Sequence, residues 1–370
     1  MIFPSRRLPH DGVRHHTAAI ITMKGNTMSR DRRQEFHDLA AGKGTVPYLT
    51  SAWQHFIGNE YDVERQAWAH INFVRKWDWD WVKINPRSAY YTESWGARFD
   101  PNDYGTGRSP RLLDVPVHET GDLAKITPLD PTSAKPFADQ LASARIIRRE
   151  LPDRAILETV FSPLTVLLGL AGLPRINGKA LYGIAPTLTK DELLFTDERA
   201  TAKALDAITE TLVDYMRTAL APVEQSGAGL DGVFYAETGM ASRGYFTHEQ
   251  FLKLARPYDE RILEAVGDGV KLLHTCRDHA NPDWFADYDI DFLQWDQYVP
   301  GNPPISDDFN AVAVGGPDAV LIGEGTDADE LRHQVKATLD ERRGRPFLLA
   351  PSCTIPPRPD DEHLRILREA

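Results

Sequence analysis

Cysteine is scarce in this chain, with only Cys276 and Cys353 among 370 residues. Two cysteines cannot build a disulfide framework, so a reducing cytoplasm is the expected compartment. Long apolar runs are absent too. None approaches the roughly 18–20 residues of a membrane-spanning helix, which excludes a helical membrane protein. Basic residues are in deficit: the formal net charge is −12, and no basic stripe interleaved with aromatics occurs, so nucleic acid is not an expected partner. That acidic balance is silent about any particular small substrate. There is no internal repeat, heptad run or low-complexity tract, which removes solenoids and coiled coils from consideration. The first residues hold Arg6, Arg7 and the patch Ala18, Ala19, Ile20 and Ile21. This patch is shorter than the ~7–15 residues of a signal-peptide core, and no cleavage site follows it. Residues 1–27 are expected to be a disordered leader, or to precede a natural start at Met28. The domain proper is then residues 28–370.

What remains is 42% hydrophobic and 26% charged, the composition of a globular protein with ample core. Short apolar runs alternate with amphipathic stretches. Strands are expected at residues 46–50, 81–84, 155–160, 232–235, 270–276, 291–296, 320–324 and 347–350. Helices are expected over 134–151 and 197–223, where Leu205, Ile208, Leu212, Tyr215, Met216 and Ala219 form one stripe. Thr247 and Gln250 have capping-box spacing, and a last helix covers 360–369. The stretch 91–130, rich in Gly and Pro and without periodicity, reads as an insertion over one end of the fold, a lid or a hairpin.

Strands this apolar are covered on both faces, as parallel strands are. About eight strand–helix units then imply a single (β/α)8 TIM barrel, α/β in class, whose catalytic groups sit at the C-terminal strand ends. Polar residues occur at those ends: His55, Asn85, Glu158, Glu237, His274, Cys276, Asp296, Glu324 and Cys353.

The spacing His274-Thr275-Cys276 puts two metal-ligand side chains on one face of an extended strand. Cys353 follows another strand, giving three ligands with an open position, the catalytic zinc pattern. The rival readings are a histidine and cysteines satisfied in the core, a disulfide, and a closed structural site for which the chain offers no fourth thiolate. Two thiolates and an imidazole cancel the charge of Zn²⁺ and blunt its power to make hydroxide. Such a site suits a substrate thiol, whose sulfur it ionises while leaving it able to attack carbon.

Several stretches resemble the uroporphyrinogen decarboxylase superfamily. They are Gly232-Val-Phe-Tyr-Ala-Glu237, then Phe251 with Pro257 and Tyr258, then His274-Thr-Cys276, and Leu349-Ala-Pro-Ser-Cys-Thr-Ile-Pro-Pro357 with Asp361, Glu362 and Leu364. Within that superfamily His-x-Cys with a distant Cys is similar to the branch of zinc-dependent methyltransferases, such as methylcobamide:coenzyme M methyltransferases, that move a methyl group from a methylated corrinoid protein to a thiol. The resemblance covers about residue 32 to the C-terminus and implies a (β/α)8 barrel and a zinc site at His274, Cys276 and Cys353. Two departures stand out. Arg277 replaces the glycine usual after the first cysteine in those methyltransferases. The chain also has Trp53-Gln54-His55-Phe56 and Ile84-Asn85-Pro86-Arg87 in place of the arginine-rich motif and catalytic Asp of true uroporphyrinogen decarboxylases, which speaks against porphyrinogen decarboxylation.

The expected chemistry is transfer of a methyl group, from methylcobalamin or another donor, to a small thiol held at zinc. Glu237 is expected as a fourth ligand or thiol-orienting group, with Glu158 and Asp296 as rivals. Trp53, His55, Asn85 and Tyr235 are expected to line the pocket, and Lys83 and Arg87 are candidates for an anionic tail. A corrinoid protein is a candidate partner. The alternatives are a metal-independent decarboxylase or lyase using carboxylates and arginines, and a non-catalytic corrinoid-protein binder.

Overall fold

The apolar runs pair side by side, all parallel, and curl into a (β/α)8 barrel. The computed structural model describes residues 30–370 apart from residues 106 and 177, so the expectation for residues 1–27 lies outside the described residues. The strands are β1 (Tyr48–Thr50), β2 (Trp81–Lys83), β3 (Ala155–Phe161), β4 (Gly232–Thr238), β5 (Val270–Thr275), β6 (Phe292–Gln294), β7 (Val312–Gly315) and β8 (Phe347–Leu349). From β2 to β8 each strand pairs with the next in sequence, and β8 returns to β1. The remaining seam, β1 against β2, is closed by other means. Asp80 N–H donates to Thr50 O at 2.9 Å, the Asp80 carboxylate accepts Thr50 N–H at 2.9 Å, and Ser51 Oγ donates to Trp81 O at 2.8 Å. A side-chain carboxylate thus replaces a missing ladder bond.

Alternation along each strand separates two apolar layers. Trp81, Leu157, Phe234, Leu272, Phe292 and Leu348 fill the barrel interior. Val82, Ile156, Val233, Tyr235, Leu273 and Leu349 face outward, against the helices. The helices that cover them include Val63–Trp77, Lys135–Glu150, Glu198–Leu220, Arg256–Val266 and Ala328–Glu341. Thr247 and Gln250 form both bonds of the expected capping box at the start of His248–Leu254. At the N-terminal end of the barrel, helix Arg32–Ala40 inserts Phe36 against Trp81 and Phe292, with ring centres 5.6 and 5.2 Å apart. Among the described residues no helix is long and apolar enough to cross a membrane.

One expected strand is corrected. Residues 320–324 do not form a strand: Ala319–Ile322 is a 3-10 turn, and the seventh strand is the earlier run Val312–Gly315. Pro317 and Asp318 explain the change. Asp318 accepts Val320 N–H, starting a turn that leaves Val320 59% exposed, which no strand inside a closed barrel tolerates. Glu324 is therefore an exposed loop residue and leaves the set of strand-end groups. The stretch 91–130 contains an antiparallel pair, Arg98–Asp100 with Arg111–Asp114, and a 3-10 turn, Thr120–Lys125. The loop joining the paired strands carries Arg108 to the barrel mouth.

Candidate active site

A cavity of about 390 Å³ opens at the C-terminal ends of the strands, and His274, Cys276 and Cys353 line it together. His274 sits on β5 level with Ala236 of β4 and Gln294 of β6. Cys276 comes two residues later on the same face, and its N–H donates to Thr238 O at 2.9 Å. Thr238 holds the positive φ of 54°, a strained conformation for a β-branched residue and one that collects at functional sites. Cys353 is fixed by its own loop: Gln294 Nε2 donates to Pro351 O and Ser352 N–H to Pro317 O, each at 2.9 Å.

The three side chains act on one another electrically. Burial lowers the pKa of His274, but hydrogen bonding to Cys276 and Cys353 outweighs it and raises the value to about 9. For Cys353 burial raises the pKa, while the His274 imidazolium, with help from Arg108, brings it down to about 6. The two shifts reinforce each other, because each group's charged form favours the charged form of its neighbour. Both cysteines are free, and His274 Nδ1 is buried without a hydrogen-bond partner. Among the described residues no three His, Cys, Asp or Glu side chains already stand at the spacing of a formed metal site. The three groups share one cavity without standing at ligand spacing. Two soft sulfurs and an orphaned ring nitrogen fit a zinc-class ion.

Around them the wall is aromatic and cationic. Phe234 packs on the His274 ring at 5.4 Å, and Trp53 on Phe234 at 5.5 Å. Lys83 places Nζ 4.5 Å from the Phe234 ring centre and donates to Asn85 Oδ1 at 2.5 Å. Burial pushes its ammonium down to about 7, against the opposing charges of Cys353 and Glu158. Asn85 is held by its backbone, whose N–H donates to His70 Nε2 at 2.9 Å, leaving its Nδ2 a buried donor without a partner. His55 lines the same cavity and pairs through Nδ1 with Glu60 at 2.7 Å.

Of the residues expected at the site, Trp53, His55, Asn85, Lys83 and the three metal-ligand candidates line the cavity. Others do not. Glu158, Tyr235 and Glu237 lie on the outward face of their strands, one residue out of phase with the interior. Glu158 accepts from Gln140 at 3.2 and 3.3 Å in the helix layer, and burial raises its carboxyl to about 8. Glu237 faces Asp259, to which Tyr235 and Tyr288 donate at 2.6 and 3.1 Å, and burial with that neighbouring charge holds its carboxyl far above the ordinary range. Arg87 is buried in an ion pair with Glu93 at 2.7 Å. Asp296 lies beside the site without lining it, accepting Tyr298 N–H at 3.0 Å; burial raises its carboxyl, and the charge of His274 opposes that shift. Among the lining residues that sequence reading missed are two arginines, Arg108 and Arg175. Both sit in loops without periodicity, where nothing local marks direction.

A family model described as uroporphyrinogen decarboxylase (URO-D) matches residues 56–370. The chain belongs to the uroporphyrinogen decarboxylase family. Among solved structures, a methyltransferase from Methanosarcina mazei superposes with a TM-score of 0.65 at 18% identity, covering 91% of this chain and 98% of that one. A B12-independent methionine synthase from Shewanella sp. W3-18-1 reaches a TM-score of 0.49 at 10% identity, over 88% and 97% of the two chains. The first likeness, at that identity, speaks for the shared URO-D fold. No curated protein sequence matches the chain significantly.

Proposed function

We propose that this URO-D family member is a methyltransferase that moves a methyl group to the sulfur of a small thiol. The observation that carries the reading is the meeting of His274, Cys276 and Cys353, soft donors from two distant strand ends, in one cavity. The Methanosarcina mazei protein that shares the fold is a methyltransferase, which agrees with it. His274, Cys276 and Cys353 would hold zinc, which when bound supplies a Lewis acid that lowers the pKa of an incoming thiol. His274 would give up its proton to serve as a ligand, since a ligating imidazole is neutral.

The rest falls to the chain's own side chains. Trp53 and Phe234 keep water from the reacting sulfur. Lys83, with a pKa near 7, is matched to accept the thiol proton at neutral pH. A new S–C bond forms, the donor departs with the electron pair of its bond to the methyl carbon, and the proton remains on Lys83. Methylcobalamin, free or on a corrinoid protein, is the donor class we propose. The test is metal content and turnover in the same preparations, with methylcobalamin and a panel of small thiols. The wild type should hold about one zinc per chain, and Cys353→Ala should lose zinc and turnover together. A zinc-free variant of full activity would overturn the reading. The arginines of the cavity favour a second reading, decarboxylation of an anionic acid without metal; activity on such acids that survives chelation would select it.

A further inference from the structure

A second cavity, of about 70 Å³, adjoins the first and differs from it in chemistry. It sits between the antiparallel pair Arg98–Asp100 with Arg111–Asp114 and helix Pro163–Leu170. Phe99, Leu112, Phe161, Val166, Leu173 and Leu181 supply most of its wall. The hydroxyls there are already engaged. Ser88 donates to Ser109 at 2.8 Å, Tyr91 to Thr159 O at 2.6 Å and Thr92 to Ala89 O at 3.1 Å. Tyr182 donates to Asp103 at 2.8 Å, and Thr165 pairs with Ser162 at 2.9 Å. Such a wall offers hydrocarbon surface and no free side-chain hydroxyl, so it favours an apolar group over a polar one.

The two cavities share Ser88, Phe161 and Arg175. Arg175 lies over the Phe161 ring, 4.5 Å from its centre, and this pair forms the partition. Thr165, on the wall of the side pocket, stands with Oγ1 3.5 Å from that of Thr238. The Thr238 carbonyl in turn accepts Cys276 N–H, so the side pocket is one contact away from the strand end that carries a sulfur. Its roof is fastened by backbone: Leu112 N–H donates to Tyr182 O at 2.8 Å, and Ile184 N–H to Leu112 O at 3.1 Å. A Cβ on Gly183, whose φ is 133°, would stand 2.1 Å from Leu112 O, so only glycine lets this strap pass. The shape of the pocket is thus set by the main chain.

We propose that this side pocket is a subsite for a hydrocarbon group, so that the ligand of the main cavity carries an alkyl chain beyond its reacting atom. The pocket has room for about five water-sized groups, which fits a chain of about four carbons. That the reacting atom is a thiol sulfur rests on the function proposed above; the subsite itself does not.

The experiment compares ethanethiol with 1-butanethiol by calorimetry on the as-purified protein. Sulfur contributes alike to both, so their ratio reads the subsite. Two further buried methylenes should make 1-butanethiol bind about 10–20-fold more tightly. Val166→Phe fills the pocket from the buried helix, and Leu181→Trp fills it from a half-buried segment that tolerates change if the first variant fails to fold. Each should bring the ratio to about two or less while leaving ethanethiol affinity unchanged. Xenon, which has no sulfur and enters apolar cavities, should bind the wild type and be shut out of both variants, as read from its own NMR signal. A ratio near unity in the wild type, or one undiminished in the folded variants, overturns the subsite. Should neither thiol bind, the proposed function falls and xenon decides the subsite alone: binding lost in the variants upholds it, and binding absent or unchanged overturns it.

Discussion

At the scale of single residues, strand parity decides who reaches the cavity. Ala236 and Thr238 look into it while Glu237, between them, looks away; Thr159 looks in while Glu158 does not. Outward-facing acids of this kind have effects of their own. Glu158 is fully buried with Gln140 as its hydrogen-bonding side chain, and its folded-state pKa is raised from 4.5 to about 8. The folded protein therefore keeps a proton that the unfolded chain releases between those values. The sign follows: this carboxyl's contribution to stability is fully present below about pH 4.5 and is lost as pH rises through about 8. Glu158→Gln keeps the shape of the protonated acid and cannot ionise. Urea unfolding at pH 5 and pH 9 should show little difference between variant and wild type at the lower pH. At the higher pH the variant should gain on the order of a few kcal/mol. An equal difference at both values would show that Glu158 ionises normally in the folded protein.

At the scale of elements, sequence and structure agree where a pattern has one solution. Helices 134–151 and 197–223, read from periodic apolar positions, appear as Lys135–Glu150 and Glu198–Leu220. The ligand candidates were legible because a His-x-Cys on a strand end shares a face whatever the register. Strand seven was not legible, because Val312–Gly315 and residues 320–322 are both short apolar runs and only packing inside the barrel chooses between them. Arg108 and Arg175 were equally hidden, since loop direction depends on tertiary contacts such as the close pass over Gly239. Helix Arg32–Ala40 was also missed; it carries only two buried residues, Phe36 and Leu39, too few to make a periodic signal. Its role is nevertheless clear from contact: Phe36 is fully buried in the barrel interior between Trp81 and Phe292. Phe36→Ala should cost about 3–5 kcal/mol in denaturant unfolding. Because the cavity lies at the opposite end of the strands, thiol affinity of the folded variant should stay unchanged. A cost under about 1 kcal/mol would mean that the helix merely rests on the barrel floor.

At the scale of the whole molecule, the barrel gathers groups that are remote in the chain. His274 and Cys276 end one strand and Cys353 follows another, so their meeting point exists only while β5 through β8 stay closed against one another. A ligand of all three would bind the folded state far better than the unfolded chain, and its binding free energy would add to stability. At a free zinc concentration of about 1,000 times the dissociation constant the gain is about 4 kcal/mol, less whatever the unfolded cysteines retain. Spread over the unfolding entropy of a chain this long, that is about 5 °C in melting temperature. Chelation of the purified protein should therefore lower its melting temperature by about that amount, and added zinc should restore it. Cys353→Ala should melt at the chelated value with or without zinc, because one missing sulfur opens the site. Ligation needs a neutral imidazole and thiolates, so the zinc-dependent shift should shrink as pH falls below about 9, where His274 takes up its proton, and further below about 6, where Cys353 does. A melting temperature indifferent to both chelation and zinc, at every pH tried, would mean that the three side chains meet as a hydrogen-bonded trio and not as a metal site.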